Sequence, residues 1–314
     1  MSLFASIRRL RTGWLILASV MICLTLATFA NNGTFGDSRP LRATWETGHI
    51  LLFFCVAWGM GIWLGNRHRP SPLIQVLLLL GVTVVVGGLL ELLQGAMGRA
   101  GSPSLADMRR NVIGALTGLA FVYPLRGLAP NRRRVLQLLT VLVLSAELWP
   151  MLSLWRDDLA ARRAFPVLSD FEHRAQSRRW TRGVVIQWGD RGGVFQVALS
   201  PKRYSGTQFI LSNRDWSGYH TLALSLYNPS EHRQVLWITL RDELSQRNRG
   251  LVTDRFTTGQ PLEPGWNELR IDLEAARQLP NGRRLALDNL RQLNLFIERP
   301  QFPFFLLDDV HLTQ

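Results

Sequence analysis

The 314-residue sequence predicts an α-helical transmembrane bundle of about five helices followed by an all-β jelly-roll sandwich. Three observations carry this expectation. Apolar runs of membrane-spanning length fill the first half, period-two alternation with turn punctuation takes over from Val167, and positive charge is divided unevenly between the halves. Residues 1–155 hold 14 Arg against 5 acidic residues, whereas residues 156–314 hold 22 Lys and Arg against 18. With 47% hydrophobic residues so unequally spread, a single soluble core is excluded. The expected domains are 1–155, a linker at 156–166, and 167–314.

Residues 13–30, 48–64, 73–93, 112–125 and 135–154 are five runs near the roughly 17–25 residues that a helix needs to cross the hydrocarbon. The fourth is short. It reads as starting at Leu105 or Met108, with Ser104-x-x-Asp107 as a capping box that satisfies the first backbone N–H groups. A cleaved signal peptide is the alternative for the first run, since arginines precede it, but its length and the residues before Ala30 disfavour cleavage. Nine basic residues flank the runs on one side (Arg8, Arg9, Arg11, Arg67, Arg69, Arg126, Arg132, Arg133, Arg134) and five on the other (Arg39, Arg42, Arg99, Arg109, Arg110). The positive-inside rule then expects a cytoplasmic N-terminus in the bacterial inner membrane. Five crossings put everything beyond Trp155 in the periplasm or outside the cell, with the lipid bilayer as first partner. A net charge of +13 would also suit a nucleic-acid binder, but the basic clusters abut apolar runs, where cytoplasmic anchoring accounts for them. No nucleic-acid partner is expected. Cys23 and Cys55 lie within apolar runs and have no disulfide partner in the second half.

Polar residues inside this half form a constellation. Glu91 and Gln94 are three apart on one face at the end of the third run, followed by Arg99, then by Asp107 and Asn111 at the start of the fourth. Glu46 and His49, also three apart, head the second run on the same side. Ionisable groups at membrane depth are expensive and are usually paired or functional. Gly114 and Gly118 extend the face of Asn111 as a small-xxx-small stripe, which is expected to let the third and fourth helices approach closely. One reading is a re-entrant loop held by ion pairs, with Gln94 and Asn111 satisfying backbone groups. The other has the cluster handle a polar head group, Arg99 contacting a phosphate and Glu91 or His49 moving a proton. No HExxH spacing is present and His49 has no second histidine within a turn, so a metal site is not expected.

Glu91-x-x-Gln94, Arg99, Ser104, Asp107, Asn111, Gly114 and Gly118, preceded by His49-x-x-x-Phe53, closely resemble the signature of the VanZ-like membrane proteins. The resemblance covers roughly residues 10–130. It departs at Glu46, where family members commonly carry Asp, which keeps the charge and adds a methylene. It implies a helical membrane protein of the cell envelope, in a family named for a glycopeptide-antibiotic resistance element and without a settled biochemical activity.

In the second half, Leu222-x-Leu224-x-Leu226, Val235-x-Trp237-x-Thr239 and Leu269-x-Ile271-x-Leu273 are the clearest strands. Asn228-Pro229, Pro264-Gly265 and Pro280-Asn281-Gly282 punctuate them, and roughly eight strands fit between Phe171 and Leu312. The order of the pieces resembles the galactose-binding-like jelly rolls that occur as carbohydrate-binding modules. The likeness lies in Asp170-Phe171-Glu172, Asp215-Trp216-Ser217-Gly218-Tyr219, Tyr227-Asn228-Pro229, Pro264-Gly265-Trp266-Asn267 and the closing run from Phe305 to Val310. In such modules a structural calcium often sits between first and last strands, which implies Asp170, Glu172 and Asp309 as its oxygen ligands. Pairing of Asp170 and Glu172 with arginines such as Arg174 is the alternative. Trp188, Tyr204 and Trp237 are candidates by type for stacking on sugar rings, whereas Trp216 and Trp266 are expected in the core. Neither paired catalytic carboxylates nor a nucleophile with its base is visible here.

The leading expectation is thus a membrane protein presenting a module that binds or positions an envelope glycan. One alternative is an enzyme whose Glu91–Asn111 cluster acts on a lipid-linked phosphate or glycan. The other is a scaffold docking another envelope protein.

Overall fold

The computed structural model describes residues 38–65, 71–96, 104–121, 129–211, 215–248 and 251–314. The chain divides into two compact units, Met1–Trp155 and Arg156–Gln314.

Four helices make up the described part of the first unit: α1 (Arg39–Gly65), α2 (Pro72–Ala96), α3 (Leu105–Phe121) and α4 (Pro130–Ala164). The run at 13–30 lies outside the described residues. Two of the four, over Leu73–Leu93 and within Pro130–Ala164, are long and apolar enough to cross a membrane, fewer than the about five expected. At 17 residues, with Asp107, Arg109 and Arg110 in its first two turns, α3 is too short and too charged at one end. The segment 156–166, read from the sequence as a linker, is helical as far as Ala164.

The glycine stripe works against a different partner from the one expected. A Cβ on Gly114 would lie 2.3 Å from the backbone oxygen of Ile50, and one on Gly118 would lie 2.5 Å from Cβ of Ala57. Both Ile50 and Ala57 belong to α1, so the stripe seats α3 on the second predicted run and not on the third. Small apolar clusters seal the packing: Ala57, Leu79, Ala115 and Leu119 in one, Leu52, Phe53, Val56 and Leu90 in another.

The described residues of the second unit form an antiparallel β-sandwich of ten strands. One sheet runs β2 (Gly183–Gln187), β3 (Gly193–Ala198), β10 (Phe304–Thr313), β5 (Thr221–Asn228) and β8 (Gly265–Asp272), with β1 (Val167–Ser169) also on β10. The other runs β4 (Tyr204–Phe209), β9 (Leu290–Glu298), β6 (Gln234–Asp242) and β7 (Phe256–Leu262). Alternation sends Leu222, Leu224 and Leu226 of β5 and Leu236, Ile238 and Leu240 of β6 into one shared core, as the period-two pattern requires. Trp216 is fully buried there. Phe171 stacks on Phe195 with centroids 5.3 Å apart, and β3 can pass beneath it because position 193 is glycine: a Cβ there would lie 2.2 Å from the Phe171 carbonyl oxygen.

One end of the sandwich is closed by a charged knot. Asp242, at the end of β6 and fully buried, caps the short helix α5 (Glu243–Arg247) by accepting from Ser245 N at 2.9 Å. It also accepts from Arg283 Nη1 at 2.5 Å and from Ala286 N at 2.9 Å. Arg283 Nε donates to Asp254 at 2.7 Å, and Asn248 and Asn281 donate to the same carboxylate at 2.8 and 3.0 Å. Burial raises the Asp242 pKa, but the donors outweigh it and hold the carboxyl down at about 2. Asp254 is likewise lowered, its burial outweighed by Asn248, Arg283 and Asn281.

Candidate functional site

The helical unit gathers most of the polar constellation in one place. His49 comes from α1, Glu91 from α2, and Asp107 and Asn111 from α3. His49 Nδ1 lies 3.0 Å from Asn111 Oδ1, and both residues are buried. Glu91 Oε2 accepts from Ser104 N at 3.2 Å, while Ser104 Oγ accepts from Asp107 N at 3.4 Å. The capping motif is therefore half local: Glu91, reaching across from α2, occupies the place expected of Asp107.

Arg110 organises the neighbouring carboxylates. It donates to Asp107 at 2.7 Å, to Glu46 of α1 at 3.1 Å and to Glu147 of α4 at 3.2 Å, and Arg109 adds a second bridge to Glu147 at 2.9 Å. Glu46 joins the cluster through Arg110. Gln94 lies on α2, but its side chain falls outside the description, and Arg99 lies outside the described residues. Glu147 was missed by sequence reasoning, although a lone carboxylate in the middle of an apolar run was a legible signal.

In the sandwich, the outer face of the larger sheet carries the more telling surface. Register aligns Gln196, Leu306, Tyr227 and Trp266 in one row across β3, β10, β5 and β8, and Asp308, Ser225 and Glu268 in the next across β10, β5 and β8. The three large rings lie in sequence, with Trp188 5.5 Å from Tyr227 and Tyr227 5.4 Å from Trp266, all partly exposed. Arg191, in the β2–β3 loop, reaches over the sheet. Its guanidinium stacks 3.9 Å from the centre of the Trp266 ring and pairs with Asp308 at 3.2 Å and Glu268 at 3.3 Å. Ser225 Oγ donates to Glu268 at 2.7 Å. A run of aromatic faces beside donors and acceptors fixed by one another suits a ligand that is apolar on its faces and hydroxylated at its edges.

Burial holds the Asp308 carboxyl above the ordinary carboxylate range, against the lowering effects of Asp309 N–H and Arg191. A raised folded-state pKa means that ionising Asp308 costs stability as pH rises through it, and that the cost is absent below the unfolded value. Asp308→Asn is accordingly expected to leave the thermal midpoint unchanged at pH 3 and to raise it by a few degrees at pH 7. Thermal unfolding at the two pH values checks this, and a lowered midpoint at pH 7 would show that the Arg191 pair outweighs burial.

Of the three aromatic candidates, the structure puts Trp188 on this face and the other two elsewhere. Tyr204 is 50% exposed on β4, edge-on to Phe296, and Trp237 on β6 lies against Gly259 of β7, both on the outer face of the smaller sheet. Trp266, expected in the core, is on the outer face. Its parity with Glu268 and Arg270, opposite to the buried Leu269 and Ile271, was the signal that could have found it. Asp170, Glu172 and Asp309 do not converge: Asp170 accepts from Gln176 at 2.6 Å, Asp309 faces His311 at 3.1 Å, and Glu172 lies beside Gly192. No contact to Arg174 accounts for Asp170.

No family model matches the chain, so the VanZ-like resemblance has no support from that comparison, and no curated protein matches it. Among solved structures the chain is similar to a family 11 carbohydrate-binding module from Clostridium thermocellum in complex with a β-1,3-1,4-mixed-linked tetrasaccharide. Identity is 18%, with 47% of this chain and 94% of that chain covered and a TM-score of 0.36. A family 28 module specific for non-crystalline cellulose matches at 11% identity over 48% and 94% of the two chains, with a TM-score of 0.33. An exo-β-agarase matches at 14% identity over 47% and 25%, with a TM-score of 0.38. At these identities and TM-scores the likenesses carry neither a ligand nor an activity over to this chain.

Proposed function

We propose that the protein is a multi-pass membrane protein of the bacterial cell envelope, VanZ-like in its helical half, whose β-sandwich binds an envelope polysaccharide. The observation that carries the glycan reading is the run Trp188–Tyr227–Trp266 beside the tied polar set Arg191, Asp308, Glu268 and Ser225. Pyranose C–H faces stack on such rings, and fixed carboxylates and guanidinium select the hydroxyl pattern.

The membrane reading rests on exposure. Leu73, Leu77, Val85 and Leu92 of α2 and Leu138 and Leu142 of α4 are each 58–68% exposed, a surface that water would not tolerate and lipid tails cover at no cost. The excess of flanking arginines on one side favours a cytoplasmic N-terminus and a periplasmic or extracellular sandwich.

Full-length protein in lipid nanodiscs, assayed against a panel of envelope polysaccharides, tests the glycan reading. Binding to at least one is expected, weakened by Trp266→Ala or Tyr227→Ala by about tenfold or more, the loss of a stacking ring worth roughly 1–3 kcal/mol. Tyr204→Ala, on the other sheet, should leave it unchanged. A folded protein that ignores every polysaccharide, or binds equally without these rings, would sink the reading.

A further inference from the structure

We propose that the ends of α1, α2 and α3 form a binding site for a divalent transition-metal ion, zinc or manganese, with His49, Glu91 and Asp107 as its ligands. One ligand atom from each of the three lies within 4.8 Å of the others, each supplied by a different helix. That is why no local spacing in the sequence announces them. Bonds of about 2.0–2.2 Å in tetrahedral geometry put ligand atoms about 3.4 Å apart, so a pair at the 4.8 Å bound has to close by about 1.4 Å on binding.

Glu91 provides the strongest argument. It is buried, its Oε1 has no hydrogen-bond partner, and among the described residues its Oε2 accepts from the Ser104 backbone N–H alone. The guanidiniums of Arg109 and Arg110 are committed to Glu46, Asp107 and Glu147, so among the described residues none reaches Glu91. A buried carboxylate left this way carries a large desolvation cost. A cation shared with Asp107 removes it.

His49 is oriented for the same purpose. Its Nδ1 lies 3.0 Å from the carbonyl oxygen of the Asn111 amide, so in the tautomer that donates from Nδ1 the ring offers its Nε2 lone pair as a ligand. Asn111 is then a positioning residue whose amide holds the ring. Its Nδ2 is buried without a hydrogen-bond partner and lies against Gly87 of α2. One imidazole nitrogen with two carboxylate oxygens suits zinc or manganese better than magnesium or calcium, which prefer oxygen alone. Three protein ligands leave at least one coordination position open.

The test uses full-length, tag-free protein in nanodiscs, stripped with a chelator and titrated with ZnCl2 and with MnCl2. One ion per chain is expected to survive gel filtration, and the thermal midpoint should rise on loading. Glu91→Gln, which keeps the shape, and His49→Ala should each weaken binding by about 100-fold, and Asn111→Ala by about tenfold. Substoichiometric metal with no rise in the wild-type midpoint overturns the proposal, and so does stoichiometric metal that both ligand variants retain unchanged. The wild-type measurement decides the matter even if a variant fails to fold.

Discussion

Asp242→Ala is expected to cost the sandwich about 3–5 kcal/mol, the range for removing one partner of a buried, hydrogen-bonded ion pair. The loss is large because one carboxylate serves several segments at once: it caps α5 through Ser245, holds Arg283 with both oxygens, and accepts the Ala286 N–H. Without it Arg283 keeps Asp254 and the neutral acceptors Ser245 Oγ and Arg284 O, and the backbone donors lose their acceptor. For a unit of this size the thermal midpoint should fall by roughly 10 °C. The pH dependence has a definite sign. A carboxyl lowered from 3.8 to about 2 contributes stability that is fully present above pH 4 and is lost as pH falls through about 2. Wild-type sandwich should therefore weaken between pH 4 and pH 2, while Asp242→Asn, already lacking the charge, should change much less there. Circular dichroism melts of the two proteins at pH 2, 4 and 7 check both statements, and parallel acid profiles would contradict the assignment of acid sensitivity to this knot.

Gly114→Leu is expected to break the close approach of α3 to α1. Even the first added carbon would lie 2.3 Å from the Ile50 carbonyl oxygen, which is backbone and cannot rotate away. Overpacking of this kind costs about 1–3 kcal/mol where side chains can yield, and more where a helix must move. Asn111 lies one turn before Gly114, so displacing α3 also pulls the His49–Asn111 contact apart. The comparison that isolates the effect is Gly88→Ala on α2, where a Cβ meets nothing within 4 Å and better helix propensity favours the alanine. Yield of monodisperse detergent-extracted protein should collapse for the first and hold for the second. Equal yields would show that α1 and α3 do not need their close approach.

How much of this was legible in the sequence follows from what each signal measures. Hydropathy located α2 within a few residues of its run at 73–93, because membrane length and helix length are set by the same rise per residue. The strands around Leu224, Trp237 and Ile271 were legible because period-two burial writes itself into residue order. Which way a ring faces was harder: Trp266 was assigned to the core from its motif, when its parity with Glu268 already pointed outward. Tyr227 and Arg191 went unnoticed as site residues, since their meeting depends on strand order and on a loop folding across the sheet, neither of which any single stretch of sequence encodes. The convergence of His49, Glu91 and Asp107 is of the same kind. Its members were each singled out as costly, yet only the packing of three helices makes them a set.

The place of β10 has a kinetic consequence. It is the last of the ten strands in chain order, yet it pairs with β1 near position 167, with β3 near 195 and with β5 near 222. Until residues 304–313 have been synthesised, β3 and β5 have no neighbour between them, and the larger sheet exists as two separate edges. Pairings spanning about 80 to 140 residues close slowly, because the loop entropy is lost before the contacts return it. During that interval the nascent sandwich exposes both strand edges and the core-facing Leu222, Leu224 and Leu226 of β5, so a holding chaperone on the side where it emerges would have most to gain from binding at that moment.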